Sequence, residues 1–119
     1  YAFTSFIRQA KENNQIIIES PNLVYRSYIL FDNLFSYYNY ITFQSTVNEV
    51  NIFDACLDMF EIGDIANLVD KSFSSNVIRK ENPQGVDKYI GDNKYLLNFL
   101  KNNKLDWQIT DKKILNLIQ

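Results

Sequence analysis

The chain has 119 residues, 46% of them hydrophobic, and a formal net charge of −2 at pH 7. That length suits one domain with a single moderate core. Without a basic excess, binding to nucleic acid or to an anionic membrane through general electrostatic attraction is disfavoured. The single cysteine excludes an internal disulfide, and no run of roughly 18 apolar residues marks a membrane span. We therefore expect a cytoplasmic protein, with a nuclear location left open.

Residues 2–18 are predicted to form a helix followed by a strand. Apolar side chains recur over residues 2–11 at positions i, i+3, i+4 and i+7, which indicates one buried helical stripe. The β-branched run Ile16–Ile18 is typical of a short buried strand.

Residues 20–44 are predicted to form a helix with an extended end. Ser20-Pro21 matches an N-cap residue followed by proline at the first helical position. Apolar residues between 31 and 38 repeat at helical spacing. The helical period is lost over residues 37–44, where Ile41 and Phe43 alternate, so this stretch is predicted to be extended.

Two further helices are predicted between residues 46 and 73. Thr46 and Glu49 have the spacing of a capping box, and the helix behind them would bury apolar residues as far as Phe60. Residues 62–64 would end this helix, and Asp64 would cap the next one. The core residues predicted from position 31 onwards are all large and apolar: Phe31, Leu34, Phe35, Val50, Phe53, Leu57, Phe60, Ile62, Ile65, Leu68, Val69 and Phe73.

The last third of the chain is predicted to be a connection, a helix and an ambiguous end. Residues 74–85 contain Asn82-Pro83 and Gly85, which favour a turn. Asp92 can cap a helix whose buried residues are Leu96, Phe99 and Leu100. Residues 105–119 fit either a hairpin carrying Trp107 or a terminal helix, and we favour the helix.

The sequence has few of the residue types on which catalysis and metal binding depend. It has no histidine, which removes the commonest general base and a common metal ligand. Its three glycines, at positions 63, 85 and 91, are isolated, so no glycine-rich loop can cradle a phosphate. We therefore expect no catalytic residue, no cofactor and no metal, and no small-molecule substrate is evident.

Carboxylates are the remaining candidates for chemistry. Asp54 and Asp58 lie one predicted helical turn apart, with Glu61 next along the chain. A solvated acidic face is the simpler interpretation of this set, and a carboxylate-based enzyme is the alternative. Cys56 lies within the same predicted helix and is interpreted as a small core residue.

The aromatic residues between positions 31 and 43 could in principle stack on nucleic-acid bases. Such platforms are usually accompanied by cations, whereas residues 27–70 contain neither lysine nor arginine. Core packing is therefore the favoured interpretation of these rings. The lysines near the C-terminus are interpreted as solvated helix ends.

The order of predicted elements over residues 16–83 resembles the second half of a BTB/POZ domain. The resemblance lies in Phe31–Tyr38 (FDNLFSYY), in the alternation that follows it, and above all in Cys56–Phe73 (CLDMFEIGDIANLVDKSF). It departs from the family at Asn39, where tyrosine is usual. The resemblance implies an α+β, mainly α fold: a helical cluster with a short strand over residues 1–83, without the family's N-terminal strands, and a helical extension over residues 84–119.

By this resemblance the chain is a non-enzymatic adaptor domain that self-associates or recruits a protein partner, such as a cullin-type scaffold. The alternative is a structural subunit of a large multiprotein assembly, with a winged-helix-like C-terminal end that carries Trp107. Because the chain begins at Tyr1 and beyond the family's first strands, we expect it to be a piece of a longer protein.

Overall fold

The structure is a computed structural model that describes residues 2–44, 54–107 and 116. Within these ranges the chain forms a small mixed α/β fold with four helices and two small sheets. In chain order the elements are α1 (Ala2–Asn13), β1 (Gln15–Ile18), β2 (Asn22–Tyr28), α2 (Phe31–Gln44), β3 (Asp58–Glu61), α3 (Ile62–Phe73), β4 (Asn76–Arg79), β5 (Gly85–Tyr89) and α4 (Lys94–Asn103). None of these helices is long and apolar enough to cross a bilayer.

The chain divides into two compact units that are interleaved in sequence. Among the described residues, the first unit contains 2–26 and 59–89, and the second contains 27–44, 54–58 and 90–107. The division at residue 83 that the sequence predicted stays a prediction.

The core of the first unit lies between α1, α3 and the two-stranded sheet. Strands β1 and β4 pair in parallel, with Ile16 beside Val77 and Ile17 beside Ile78. Alternate side chains of β1 point inward, because successive residues of a strand face opposite sides. Helices α1 and α3 and strand β1 pack together here. Their buried apolar side chains are Phe6, Ala10, Ile16, Ile18, Ile65, Ala66, Leu68 and Val69.

The other sheet has three strands in the order β3-β2-β5. Strands β2 and β5 are parallel, and the register places Asn22 beside Gly85 and Arg26 beside Tyr89. Strand β5 is therefore an edge strand, and all five of its residues are exposed.

An aromatic cluster organises the second unit. The ring of Phe99 on α4 lies 4.7 Å from Tyr37 and 4.5 Å from Tyr40, measured between ring centroids. Phe99 also lies 5.5 Å from Trp107, between ring centroids. These tilted arrangements are favourable for aromatic pairs, so the rings hold α2 against α4 within this unit.

The prediction of a helix that starts at Ser20-Pro21 is wrong, because Asn22–Tyr28 is strand β2. The Ser20 hydroxyl accepts a hydrogen bond from the Asn22 N–H at 3.2 Å and donates one to the Asn22 carbonyl at 3.1 Å. This local turn competes with helix capping for the same side chain. Helix α2 begins only at Phe31 and continues through residues 41–43, which were predicted to be extended.

The prediction of a helix that ends near Phe60 is also wrong for the described residues at its end, because Asp58–Glu61 is strand β3. Glu61, and not Asp64, caps α3, since its side chain accepts a hydrogen bond from the Gly63 N–H. The predicted capping box, together with Val50 and Phe53, lies outside the described residues, and so does most of residues 105–119.

The connection predicted over residues 74–85 contains strand β4, and it is followed by strand β5, which was not predicted. Of the described residues predicted as core, Leu57, Ile65, Leu68 and Val69 are buried, and Leu34, Phe60, Ile62 and Phe73 are half-buried.

Two residues of the predicted core lie on the outside of α2. Phe31 and Phe35 are 77% and 57% exposed, whereas Tyr37 is only 6% exposed. Helix α2 therefore buries a different face from the one predicted. It carries aromatic residues around most of its circumference, so hydrophobicity alone does not determine which face is buried.

Candidate ligand-binding strand pair

The carboxylates predicted as one acidic set have separate roles in the structure. Asp54 accepts a hydrogen bond from the Asp92 N–H at 2.9 Å. Glu61 forms an ion pair with Arg79. Among the described residues no group of three or more histidine, cysteine, aspartate or glutamate side chains is placed to hold a metal ion. Cys56 is buried, as its interpretation as a core residue requires.

A buried ion pair fixes the strand that carries the candidate site. Arg79 Nη2 donates to both carboxylate oxygens of Glu61, at 2.8 and 2.9 Å, and its Nη1 donates to the Asn22 carbonyl at 3.1 Å. Glu61 Oε1 also accepts from the Val24 N–H at 3.1 Å, and Oε2 accepts from the Gly63 N–H at 2.6 Å. The pair thus joins β2, β4 and the first turn of α3, where a carboxylate is also favoured by the helix dipole.

The candidate site lies where Arg26 of β2 meets β5. Arg26 Nη2 contacts Asp87 Oδ2 at 2.8 Å, and Nη1 donates to the Tyr25 carbonyl at 2.8 Å and to the Asp87 carbonyl at 3.3 Å. The hydrogen bond from Arg26 holds the pKa of the Asp87 carboxyl below its usual range. Asp87 is therefore anionic at neutral pH and orients the guanidinium above the strand pair.

Arg26 and Tyr89 share one face of this strand pair. They are neighbours in the parallel register, and Asp87 lies two residues before Tyr89, so all three side chains point to the same side. The Arg26 side chain is 36% exposed and Tyr89 is 80% exposed. A guanidinium can donate hydrogen bonds to a phosphate, and an accessible tyrosine ring can stack on a planar base.

The sequence prediction did not find this site. Arg26 and Tyr89 are far apart along the chain, and only the pairing of β2 with β5 makes them neighbours. The alternating segment Gly85–Tyr89 was the available signal, but the nearby Pro83 and Gly85 led to its interpretation as a connection.

The fold is similar to part of a GDP-L-fucose synthetase from Naegleria fowleri. The crystal structure of that protein bound to NADP matches 100% of this chain with a TM-score of 0.73 and 14% sequence identity. Another crystal structure of a GDP-L-fucose synthetase from the same organism matches 99% of the chain with a TM-score of 0.70, also at 14% identity. At this identity the likeness concerns the fold alone.

The chain covers only 38% and 36% of the length of those two synthetase chains. No protein-family model matches the chain, and a search of curated proteins finds no match. The BTB/POZ resemblance of residues 16–83 stays a prediction.

Proposed function

We propose that the chain is the part of a sugar-nucleotide-modifying protein that binds the nucleoside diphosphate portion of the substrate. The observation that carries this proposal is the pairing of Arg26 with Tyr89 on one accessible face of β2 and β5. The fold likeness supports it, because the similar protein is named for a GDP-sugar. The guanidinium of Arg26 binds the diphosphate, and the ring of Tyr89 stacks on the base.

Asp87 prepares this site and limits its affinity. Its carboxylate fixes the guanidinium of Arg26 before the ligand arrives, which lowers the entropy lost on binding. The same negative charge repels a diphosphate, so binding by the strand pair is weak unless other parts of the protein contribute. Removing the carboxylate in Asp87→Asn therefore has two opposing effects, which makes Arg26 the better residue for a test.

NADP, which the similar synthetase binds, is not assigned to this chain. A dinucleotide site of the usual kind needs a glycine-rich turn at a helix N-terminus. At the start of α3 the Glu61 carboxylate already accepts the Gly63 N–H, so an anion occupies the position that a phosphate would take. The start of α3 therefore does not fit the dinucleotide, and we derive no step through it.

The proposal is tested by titrating the chain with GDP and following backbone amide signals by NMR. We expect shifts centred on β2 and β5, and we expect Arg26→Met to weaken binding by roughly tenfold or more, because hydrogen bonds to a charged group contribute about 1.5–3 kcal/mol. Arg8→Met is the matched control, since Arg8 is an exposed arginine on α1 of the same unit. Equal GDP affinity of the two variants would contradict the proposal.

The adaptor or scaffold role expected from the sequence, and the expected lack of enzymatic activity, both stay predictions. A pull-down from cell extract read by mass spectrometry tests the adaptor role. A sugar-nucleotide-binding chain is expected to recover no cullin-type scaffold in that experiment.

A further inference from the structure

The Asp87 carboxylate can accept more hydrogen bonds than its ion pair with Arg26 uses. Its Oδ2 accepts from Arg26 Nη2 at 2.8 Å, and among the described residues no hydrogen bond reaches its Oδ1. An ionised carboxylate can accept about four hydrogen bonds and donates none. The Asp87 side chain is 50% exposed, so a ligand can reach it. A ligand group that donates hydrogen bonds would therefore complete the hydrogen bonding of this carboxylate.

The negative charge of Asp87 limits which part of a nucleotide can lie against it. The hydrogen bond from Arg26 lowers the pKa of the Asp87 carboxyl, so the group is ionised at neutral pH. Phosphate oxygens are negative and mainly accept hydrogen bonds, so the carboxylate repels them. Hydroxyl groups are neutral and donate, and a hydrogen bond from a hydroxyl to a carboxylate is short and strong. Asp87 therefore favours the hydroxylated part of a nucleotide.

The order of the side chains along β5 indicates which hydroxyl groups these are. Arg26 contacts both the carbonyl and the carboxylate of Asp87, so its guanidinium lies beside residue 87, whereas Tyr89 lies two residues further along the same face. Two residues of a strand span roughly 6–7 Å. A ribose and its 5′ oxygen, which link the base of a nucleotide to its diphosphate, can bridge such a distance. With the base on Tyr89 and the diphosphate at Arg26, the ribose lies next to Asp87.

We propose that the Asp87 carboxylate accepts hydrogen bonds from the vicinal 2′ and 3′ hydroxyls of the ribose. The strand pair then selects ribonucleoside diphosphates over analogues that lack these hydroxyls. This inference rests on the proposed function, because it takes the base and the diphosphate to bind at Tyr89 and Arg26. It also gives Asp87 a second effect, since a carboxylate that repels free phosphate contributes affinity to a ligand that carries a ribose.

The sugar joined to the diphosphate is the other source of vicinal hydroxyls in such a ligand. In the proposed arrangement this sugar lies beyond the diphosphate, on the side of the Arg26 guanidinium away from Tyr89. The ribose lies between the two residues, and for this reason we assign the diol that Asp87 binds to the ribose.

The proposal is tested by comparing the affinities of the full chain for GDP and for 2′,3′-dideoxy-GDP, measured by NMR titration. We expect GDP to bind roughly fivefold or more tightly, because only GDP donates hydrogen bonds to the carboxylate. In Asp87→Val the two affinities should become equal. Their ratio is the decisive readout, since both ligands carry the same base and diphosphate and any change in phosphate binding by Arg26 cancels. Valine suits an exposed strand position, so this variant should fold.

The matched control is Glu19→Val, which removes an exposed carboxylate of the same unit that is also paired with a cation, Lys80, at 2.8 Å. It should leave the ratio of the two affinities unchanged. Equal affinities in the parent chain, or an unchanged ratio in Asp87→Val, would overturn this inference. GDP binding that Arg26→Met weakens would still support the proposed function in that case.

Two further outcomes separate the remaining explanations. If GDP does not bind, or if Arg26→Met binds it as tightly as the parent chain does, both the proposed function and this inference are wrong. If GDP and its dideoxy analogue bind equally, while GDP-glucose binds more tightly than GDP and Asp87→Val removes that gain, Asp87 binds the attached sugar and the assignment to the ribose is overturned.

Discussion

The ion pair between Glu61 and Arg79 connects β2, β4 and the start of α3 in the first unit. Both side chains are largely buried, at 11% and 19% exposure, and Glu61 also binds the N–H groups of Val24 and Gly63. Glu61→Ala leaves a buried guanidinium without its counter-charge, so we expect a loss of about 3–5 kcal/mol in the free energy of unfolding, measured with urea.

The exposed pair between Glu19 and Lys80 provides the control for this change. Its oxygen and nitrogen also lie 2.8 Å apart, but the side chains are 73% and 53% exposed. Water and salt screen such a pair, so Glu19→Gln should leave the urea midpoint unchanged. Equal effects of the two substitutions would show that burial does not govern these contacts.

The ionisation of Tyr37, in the aromatic cluster of the second unit, makes the stability of the chain depend on pH. Burial, and secondarily the nearby Tyr40, raise the pKa of the Tyr37 hydroxyl above its ordinary value of 10.0. The unfolded chain therefore releases this proton first. Stability is fully present below the unfolded pKa and falls as pH rises through 10.0 towards the folded pKa. Tyr37→Phe should flatten this alkaline loss, as measured by urea midpoints across that pH range.

A titration of tyrosinate absorbance supplies the second readout of that prediction. Subtracting the Tyr37→Phe curve from that of the parent chain isolates one hydroxyl among eight tyrosines. We expect this difference curve to be centred above the ordinary tyrosine pKa of 10.0. A difference curve centred at the ordinary tyrosine pKa would contradict the effect of burial.

Helix α3 ends in a conformation that glycine would adopt more easily. Its C-cap Ser74 has a φ of 50°, in the left-handed region, and its N–H bonds to the Asp70 carbonyl. Ser74→Gly removes the steric cost of a Cβ there, so we expect a gain of roughly 0.5–1 kcal/mol in the free energy of unfolding. Ser72→Gly, inside the same helix, should lower it by a similar amount. A loss in both variants would contradict the strain at Ser74.

The sequence predicts those elements whose signal is local. Helices α1, α3 and α4 follow from apolar periodicity, because each buries one regular face, and strand β1 follows from the β-branched run Ile16–Ile18. Strands β2 and β5 depend on each other across a long stretch of chain, and Ser20-Pro21 is as compatible with a turn as with a helix start. The candidate site could not be predicted from the sequence for the same reason, since Arg26 and Tyr89 become neighbours only through the pairing of β2 with β5.

The division into two units raises the question of whether they unfold together. Two of the boundaries between the units fall inside strands: one follows Arg26 within β2, and another follows Asp58 within β3. Because each of these strands is continuous through a boundary, unfolding of one unit removes the support for a strand that extends into the other. We therefore expect a single cooperative transition in urea.

Trp107 makes this expectation measurable. It is the only tryptophan and lies 5.5 Å from Phe99 in the second unit, so its fluorescence reports on that unit, whereas far-UV circular dichroism reports on the helices of both. The two midpoints should coincide. Glu61→Ala, which changes the first unit, should lower both midpoints equally, because the tryptophan loses its environment when the shared strands are lost. If the fluorescence midpoint stays in place while the circular dichroism midpoint falls, the units unfold independently and the continuity of β2 and β3 does not couple them.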